Sequence, residues 1–209
     1  MSEGSSSAFA IRRATAADAD GIAHVQVETW RSSYRGIVPQ SYLDALDVGE
    51  KAAKWKRWVS DSDAHTFVFV ADDAGEICGY VHGGVLRDGV HVAAQGYDAE
   101  IHKVDVLSDA QGKGIGRKLM SVLAESLVHD GLMRPVVWAL AENPWCRFYE
   151  RLGGRKVAEK MIEIGGAPLL DHAFGWETMS PLLASPESSQ PLPRRASDAV
   201  DSTYARLRH

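Results

Sequence analysis

Residues Gln111-Gly112-Lys113-Gly114-Ile115-Gly116-Arg117-Lys118 bring three alternating glycines and three basic side chains together. Glycine lets a backbone approach an anion with no side chain in the way. A helix that starts there adds unpaired N–H groups and the positive end of its dipole. Ile115, Leu119, Val122, Leu123 and Leu127 trace one apolar helix face after the turn, and Gly131 stands where a C′ glycine belongs. The chemistry this suggests is phosphate binding. The plainer alternative, a helix start that needs glycine only for its turn, stays open at this point. Two phosphate motifs fail by spacing. A dinucleotide fingerprint needs glycine at position 117, which is Arg117. A P-loop needs G-x-x-x-x-G-K-[ST], and neither Gly112-Lys113 nor Gly116-Arg117 satisfies it.

The elements that must position this turn follow a readable order. Ala8 to Arg13 suits a first strand, and Thr15 with Asp18 resembles a capping box before Ile22, Val25 and Thr29 at helical spacing. Pro39 opens a second helical region with Tyr42, Leu43 and Leu46, extended by Trp55, Trp58 and Val59. His65–Ala71 and Glu76–Leu86 read as a hairpin around the turn Asp72-Asp73-Ala74-Gly75. Glu100–Leu107 is an alternating strand with Ile101, Val104 and Val106 as its apolar content, and it leads straight into the glycine turn. Val136–Leu140 is a short strand, Asn143–Leu152 a helix ending at Gly153-Gly154, and Lys156–Ile164 and His172–Met179 a last pair. This is an α/β domain of seven strands in a mixed sheet flanked by helices, since hairpins rule out a purely parallel one.

Composition sets the wider bounds. The chain has 209 residues and a formal charge of −5, from 28 acidic and 23 basic residues. That excess is the wrong sign for a general nucleic-acid or anionic-membrane binder, though a local phosphate site is compatible with it. Cys78 and Cys146 are isolated in sequence and no H-x-x-x-H spacing occurs, which argues against a disulfide framework and against a metal site. No apolar run approaches the roughly 20 residues of a bilayer span. A soluble, cytoplasmic protein is expected. Residues 181–209 hold four of the eight prolines, and with residues 1–7 they read as flexible ends around a domain at 8–180.

The run Q-x-x-G-x-G after a strand of the form E-I-x-x-V-x-V resembles the GCN5-related N-acetyltransferase (GNAT) superfamily. The resemblance extends over residues 9–179 and includes Asn143-Pro144 followed by Arg147-Phe148-Tyr149-Glu150-Arg151-Leu152-Gly153. Gly154 departs from the pattern, which usually has an aromatic there. The resemblance implies a mostly antiparallel sheet splayed at its central strands and acetyl-CoA as co-substrate. Val104 and Val106 would pair with the pantetheine arm. Gln111, Gly112, Lys113, Gly114, Ile115 and Gly116 would take the pyrophosphate, with Arg117 beside it. Asn143 matches a cofactor-contacting asparagine; read alone, it is an N-cap before Pro144.

The resemblance also implies acyl transfer to a primary amine of a small molecule or peptide, with Tyr149 as general acid. A phenol near pKa ~10 can protonate a thiolate whose conjugate acid lies near ~8.5. The Val106 N–H is placed at the oxyanion by the same resemblance. Glu100 stands where many family members carry a glutamate and is the candidate base, with His102 two positions on. Tyr149 as a packing aromatic and Glu100 as a solvated strand-end residue are the structural alternatives. Glu28, Trp30 and Tyr34 fall on the helix that frames the family's acceptor pocket. A homodimer is expected by the same likeness, and a non-catalytic acyl-CoA-binding module on the same fold is the competing function.

Overall fold

The computed structural model describes residues 9–60, 66–87, 90–93 and 95–184. β1 (Ala10–Arg13) leads into α1 (Ala19–Ser33), followed by α2 (Gln40–Asp44) and α3 (Val48–Ser60). The hairpin β2 (Thr66–Asp73) and β3 (Glu76–Val85) precedes α4 (Val90–Ala93) and β4 (Ala99–Val106). Then come α5 (Ile115–His129), β5 (Pro135–Leu140), α6 (Cys146–Arg151), β6 (Arg155–Ile164), β7 (Ala167–Gly175) and α7 (Ser180–Leu183). The capping box forms: the Thr15 N–H donates to Asp18 Oδ2 at 2.7 Å. Arg12 then clamps this helix start to the hairpin, reaching Asp18 at 2.7 Å and Asp72 at 2.9 Å.

The strands form one sheet in the order β1-β2-β3-β4-β5-β7-β6. Every pair is antiparallel except β4 with β5. That parallel pair needs a crossover, which α5 supplies. On one face α5 packs Leu119, Leu123 and Leu127 over Phe67, Phe69, Val81 and Ile101. On the other, α1 and α3 set Ile22, Val25 and Trp55 against Val68, Val70 and Tyr80. Gly83 allows the close approach of α5, because a Cβ there would stand 2.7 Å from Leu123 Cδ2 and 2.9 Å from the Glu100 carbonyl.

β4 does not alternate cleanly. Ile101, Val104 and Val106 all pack toward α5, which a strict period of two forbids for positions 101 and 104. A register shift opposite His82/Gly83 resolves it, with His82 against Lys103 and Gly83 against Ile101. His102 is the extra residue of a β-bulge.

Other boundaries differ from the sequence reading. β7 starts at Ala167, not His172, because Gly165 (φ +60°) and Gly166 (φ +81°) close a two-residue hairpin directly after Ile164. It ends at Gly175 rather than Met179. Trp176 turns into the core, where its indole N–H donates to the Leu152 carbonyl at 2.8 Å. The short α4 had no periodic signal to announce it. Packing also runs past residue 180, since Leu182 of α7 is 2% exposed. Of the expected flexible ends at 1–7 and 181–209, residues 1–7 and 185–209 lie outside the described residues. Among the described residues no helix is long and apolar enough to cross a membrane.

Candidate active site

The glycine turn is built as a cradle. Gly112 (φ +77°) and Gly114 (φ +81°) occupy the left-handed region, and a Cβ at either would meet nothing within 4 Å. It is therefore the backbone conformation, not crowding, that demands glycine there. Gly116 differs: it is helical, and a Cβ would stand 3.2 Å from Phe148 Cζ. α5 begins directly after Gly114, so its first N–H groups point out of the helix with no intrahelical acceptor. Gln111 ties the cradle back to β4 by donating Nε2–H to the Val106 carbonyl at 2.9 Å.

Beside the cradle the sheet splits. β4 and β5 pair only from Ala99/Pro135 to Ile101/Val137. The Leu107 N–H donates across to the Cys78 carbonyl of β3, so by alternation the backbone groups of Val106 and Val104 face the gap. A cavity of about 410 Å³ fills this gap and reaches α1. Val104, Val106, Gln111, Gly112, Gly114, Ile115, Gly116 and Arg117 line one end. Trp30, Tyr34, Asn143 and Tyr149 line it farther along. Lys113 does not line it; its side chain is exposed beside the turn.

Tyr149 is buried among Phe148, Phe174 and Trp176, at ring separations of 5.5, 5.7 and 6.5 Å. Burial pushes its phenol well above the ordinary range, with Tyr34 and Asp105 adding to the rise. The hydroxyl is therefore protonated at neutral pH. Asn143 is not the helix N-cap, a position taken by Trp145. Its Oδ1 instead accepts from the Trp145 N–H at 2.9 Å, closing an Asx turn. Its Nδ2 donates to the Tyr34 hydroxyl at 3.0 Å and so bridges α1 to the α6 loop across the gap. Trp30 packs on Tyr34 at 4.9 Å.

The two carboxylates proposed from sequence are elsewhere. Glu100 is buried but outside the cavity lining, held by the Arg87 N–H at 3.1 Å and the Arg87 guanidinium at 3.3 Å. Glu28 pairs with Arg31 at 3.2 Å and also lies outside the lining. Two residues of β4 that the sequence reading passed over face the cavity instead, Lys103 and Asp105. Asp105 accepts from the Tyr80 hydroxyl at 2.5 Å. Burial raises its carboxyl from 3.8 to about 6, against the opposing pull of Tyr80 and Lys103. Burial likewise lowers the Lys103 ammonium from 10.5 to about 8. His102 also lines the cavity, but burial depresses its ring to about 3, so it is neutral. The available signal was that Lys103 and Asp105 put charge two positions apart on an internal strand, on the face where burial calls for apolar residues. Among the described residues no group of three or more His, Cys, Asp or Glu is placed to share a metal ion.

Comparison with known proteins agrees with this geometry. The sequence model of the acetyltransferase (GNAT) family matches residues 26–154. An uncharacterized N-acetyltransferase, YuaI of Bacillus subtilis (strain 168), is 35% identical over 173 residues, covering 82% of this chain and 95% of that protein. Among solved structures, yncA of Salmonella typhimurium, a putative acetyltransferase with its cofactor acetyl-CoA, superposes with a TM-score of 0.60 at 21% identity, over 90% of this chain and 99% of that one. The PaiA N-acetyltransferase of Thermoplasma acidophilum, in complex with coenzyme A, gives a TM-score of 0.59 at 16% identity, over 79% and 98%.

Proposed function

Because this chain belongs to the acetyltransferase (GNAT) family and its relatives are N-acetyltransferases, we propose that it moves an acetyl group from acetyl-CoA to a primary amine by direct attack. The observation that carries this is one cavity holding the glycine cradle, the open edge of β4 and the Tyr149 phenol together. The fit to acetyl-CoA rests on left-handed glycines at the start of a long helix, with Arg117 beside them. Acetyl-CoA supplies the thioester. The N–H groups of residues 112–116 hold its pyrophosphate, and the gap-facing backbone of Val104 and Val106 holds its arm.

The chain's own groups then divide the proton work. Asp105, rather than Glu100, takes the proton of the incoming ammonium, because Asp105 lines the cavity and Glu100 does not. A carboxyl tuned to about 6 is ionised at neutral pH yet more basic than a solvated one. The Val106 N–H meets the negative charge that develops on the carbonyl oxygen. Tyr149 hands its proton to the departing thiolate. Trp30 and Tyr34 form the wall of the acceptor end.

The test is thermal shift with acetyl-CoA against ATP and NAD, followed by thiol release with a panel of amines. Acetyl-CoA should raise the melting temperature, as mass action requires of a ligand of the native state, and the other two should not. Stabilisation with no thiol release from any amine would leave the non-catalytic acyl-CoA-binding module as the reading.

A further inference from the structure

Lys103 is a cation in the wrong place for an enzyme that accepts a simple amine. It lies on β4 two residues before Asp105, lines the same cavity, and makes no ion pair among the described residues. Its Nζ rests over the rings of Trp55 at 5.6 Å and Trp58 at 5.5 Å. Lys51, Arg87 and Lys54 all bear on it as like charges, and Asp105 is the opposing one. The field at this end of the cavity is therefore positive around Lys103 and negative at Asp105. A monoamine entering there would bring a second cation beside an ammonium that has no ion pair and give it nothing in return, a cost that rejects such a substrate.

Two buried polar atoms of residues that line the cavity also lack a partner: Thr29 Oγ1 on α1 and Trp138 Nε1 on β5. An indole N–H can only donate and a hydroxyl can donate, so these two are hydrogen-bond donors at the cavity for which the protein supplies no acceptor.

We infer that the amine acetylated here carries a carboxylate, bound by Lys103 and these donors while its amino group meets Asp105. This rests on the acetyltransferase reading above. An amino carboxylate matches both charges, and each oxygen of its anionic group can accept more than one of the waiting donors. The acceptor class is thus small amino acids or ω-amino carboxylates; aminophosphonates share the same charge pattern and are separated from them in the test.

The experiment compares matched pairs by thiol release at saturating acetyl-CoA: amino acids against their amides, ω-amino carboxylates against alkylamines of equal length, and one aminoalkylphosphonate. An amide's amine is the less basic and so more abundant as free amine, which means intrinsic reactivity favours the amide. The wild-type protein should nonetheless prefer the carboxylate by about tenfold or more in kcat/KM. Lys103→Met should bring that ratio close to one, and Lys103→Arg should keep part of it. A merely structural role for Lys103 beneath the tryptophans would lower both members of a pair equally and leave the ratio intact, which overturns the inference. So does a wild-type ratio at or below one. A preference for the phosphonate over every carboxylate replaces the substrate class. Absence of thiol release with every amine overturns the acetyltransferase reading and this inference with it.

Discussion

Replacing Asp105 by Asn should make the protein more stable and less active. The carboxyl is raised from 3.8 to about 6, chiefly by desolvation. The folded state therefore binds this proton more tightly than the unfolded state does. Between these two values stability falls as pH rises, and the full cost is present above about pH 7. A shift of that size corresponds to about 3 kcal/mol at about 1.36 kcal/mol per pH unit. Asparagine removes the charge, and its Oδ1 can still accept from the Tyr80 hydroxyl that now donates to Asp105 at 2.5 Å. In a domain of this size about 3 kcal/mol amounts to about 6–12 °C in melting temperature. Water in the cavity softens the penalty, so this is the upper end. The assay is a pair of thermal melts, wild type and Asp105→Asn, at intervals from pH 4 to pH 8 without ligand. The difference should be near zero at pH 4, grow through pH 6 and level off. Turnover should fall by about 10²–10⁴-fold, the usual contribution of a general base. A melting difference that does not change with pH refutes the desolvation argument. Near-wild-type turnover removes Asp105 from the proton transfer.

Tyr149→Phe should lower turnover by a comparable factor while acetyl-CoA binding, read by calorimetry, stays within about threefold. Gly114→Ala forces a Cβ into a left-handed conformation at φ +81°. It should cost about 1–2 kcal/mol in urea denaturation and weaken acetyl-CoA binding more than it weakens folding.

Much of the fold was legible because its signals are local. The capping box at Thr15 and Asp18, the glycine turn and the apolar face of α5 each declare themselves within a few residues. The gap between β4 and β5 was foreseen only through resemblance, since nothing in either strand alone says where their pairing stops. The bulge at His102 was visible in principle. Ile101 and Val104 are three apart, an odd step that cannot keep both on one face of a regular strand. Glu100 and Asp105 show the harder limit. Both are acidic residues of β4, and what separates them is a partner distant in sequence: Arg87 holds Glu100 away, and Tyr80 holds Asp105 at the cavity. Asn143 is similar, for its reach to Tyr34 joins residues 109 positions apart.

The gap in the sheet also bears on how the protein keeps its own company. An unpaired strand edge is a template on which a neighbouring molecule can add a strand, and proteins guard such edges with charge, proline or cover. The open edge at Val104 and Val106 lies inside the sheet rather than at its rim. The bridge from Asn143 to Tyr34 joins the end of α1 to the loop after β5 beside the same cavity. The edge has strands of its own sheet on both sides, so a strand from another molecule finds no rim there to extend. An edge set inside the sheet is thus kept from the edge-to-edge pairing that leads to aggregation.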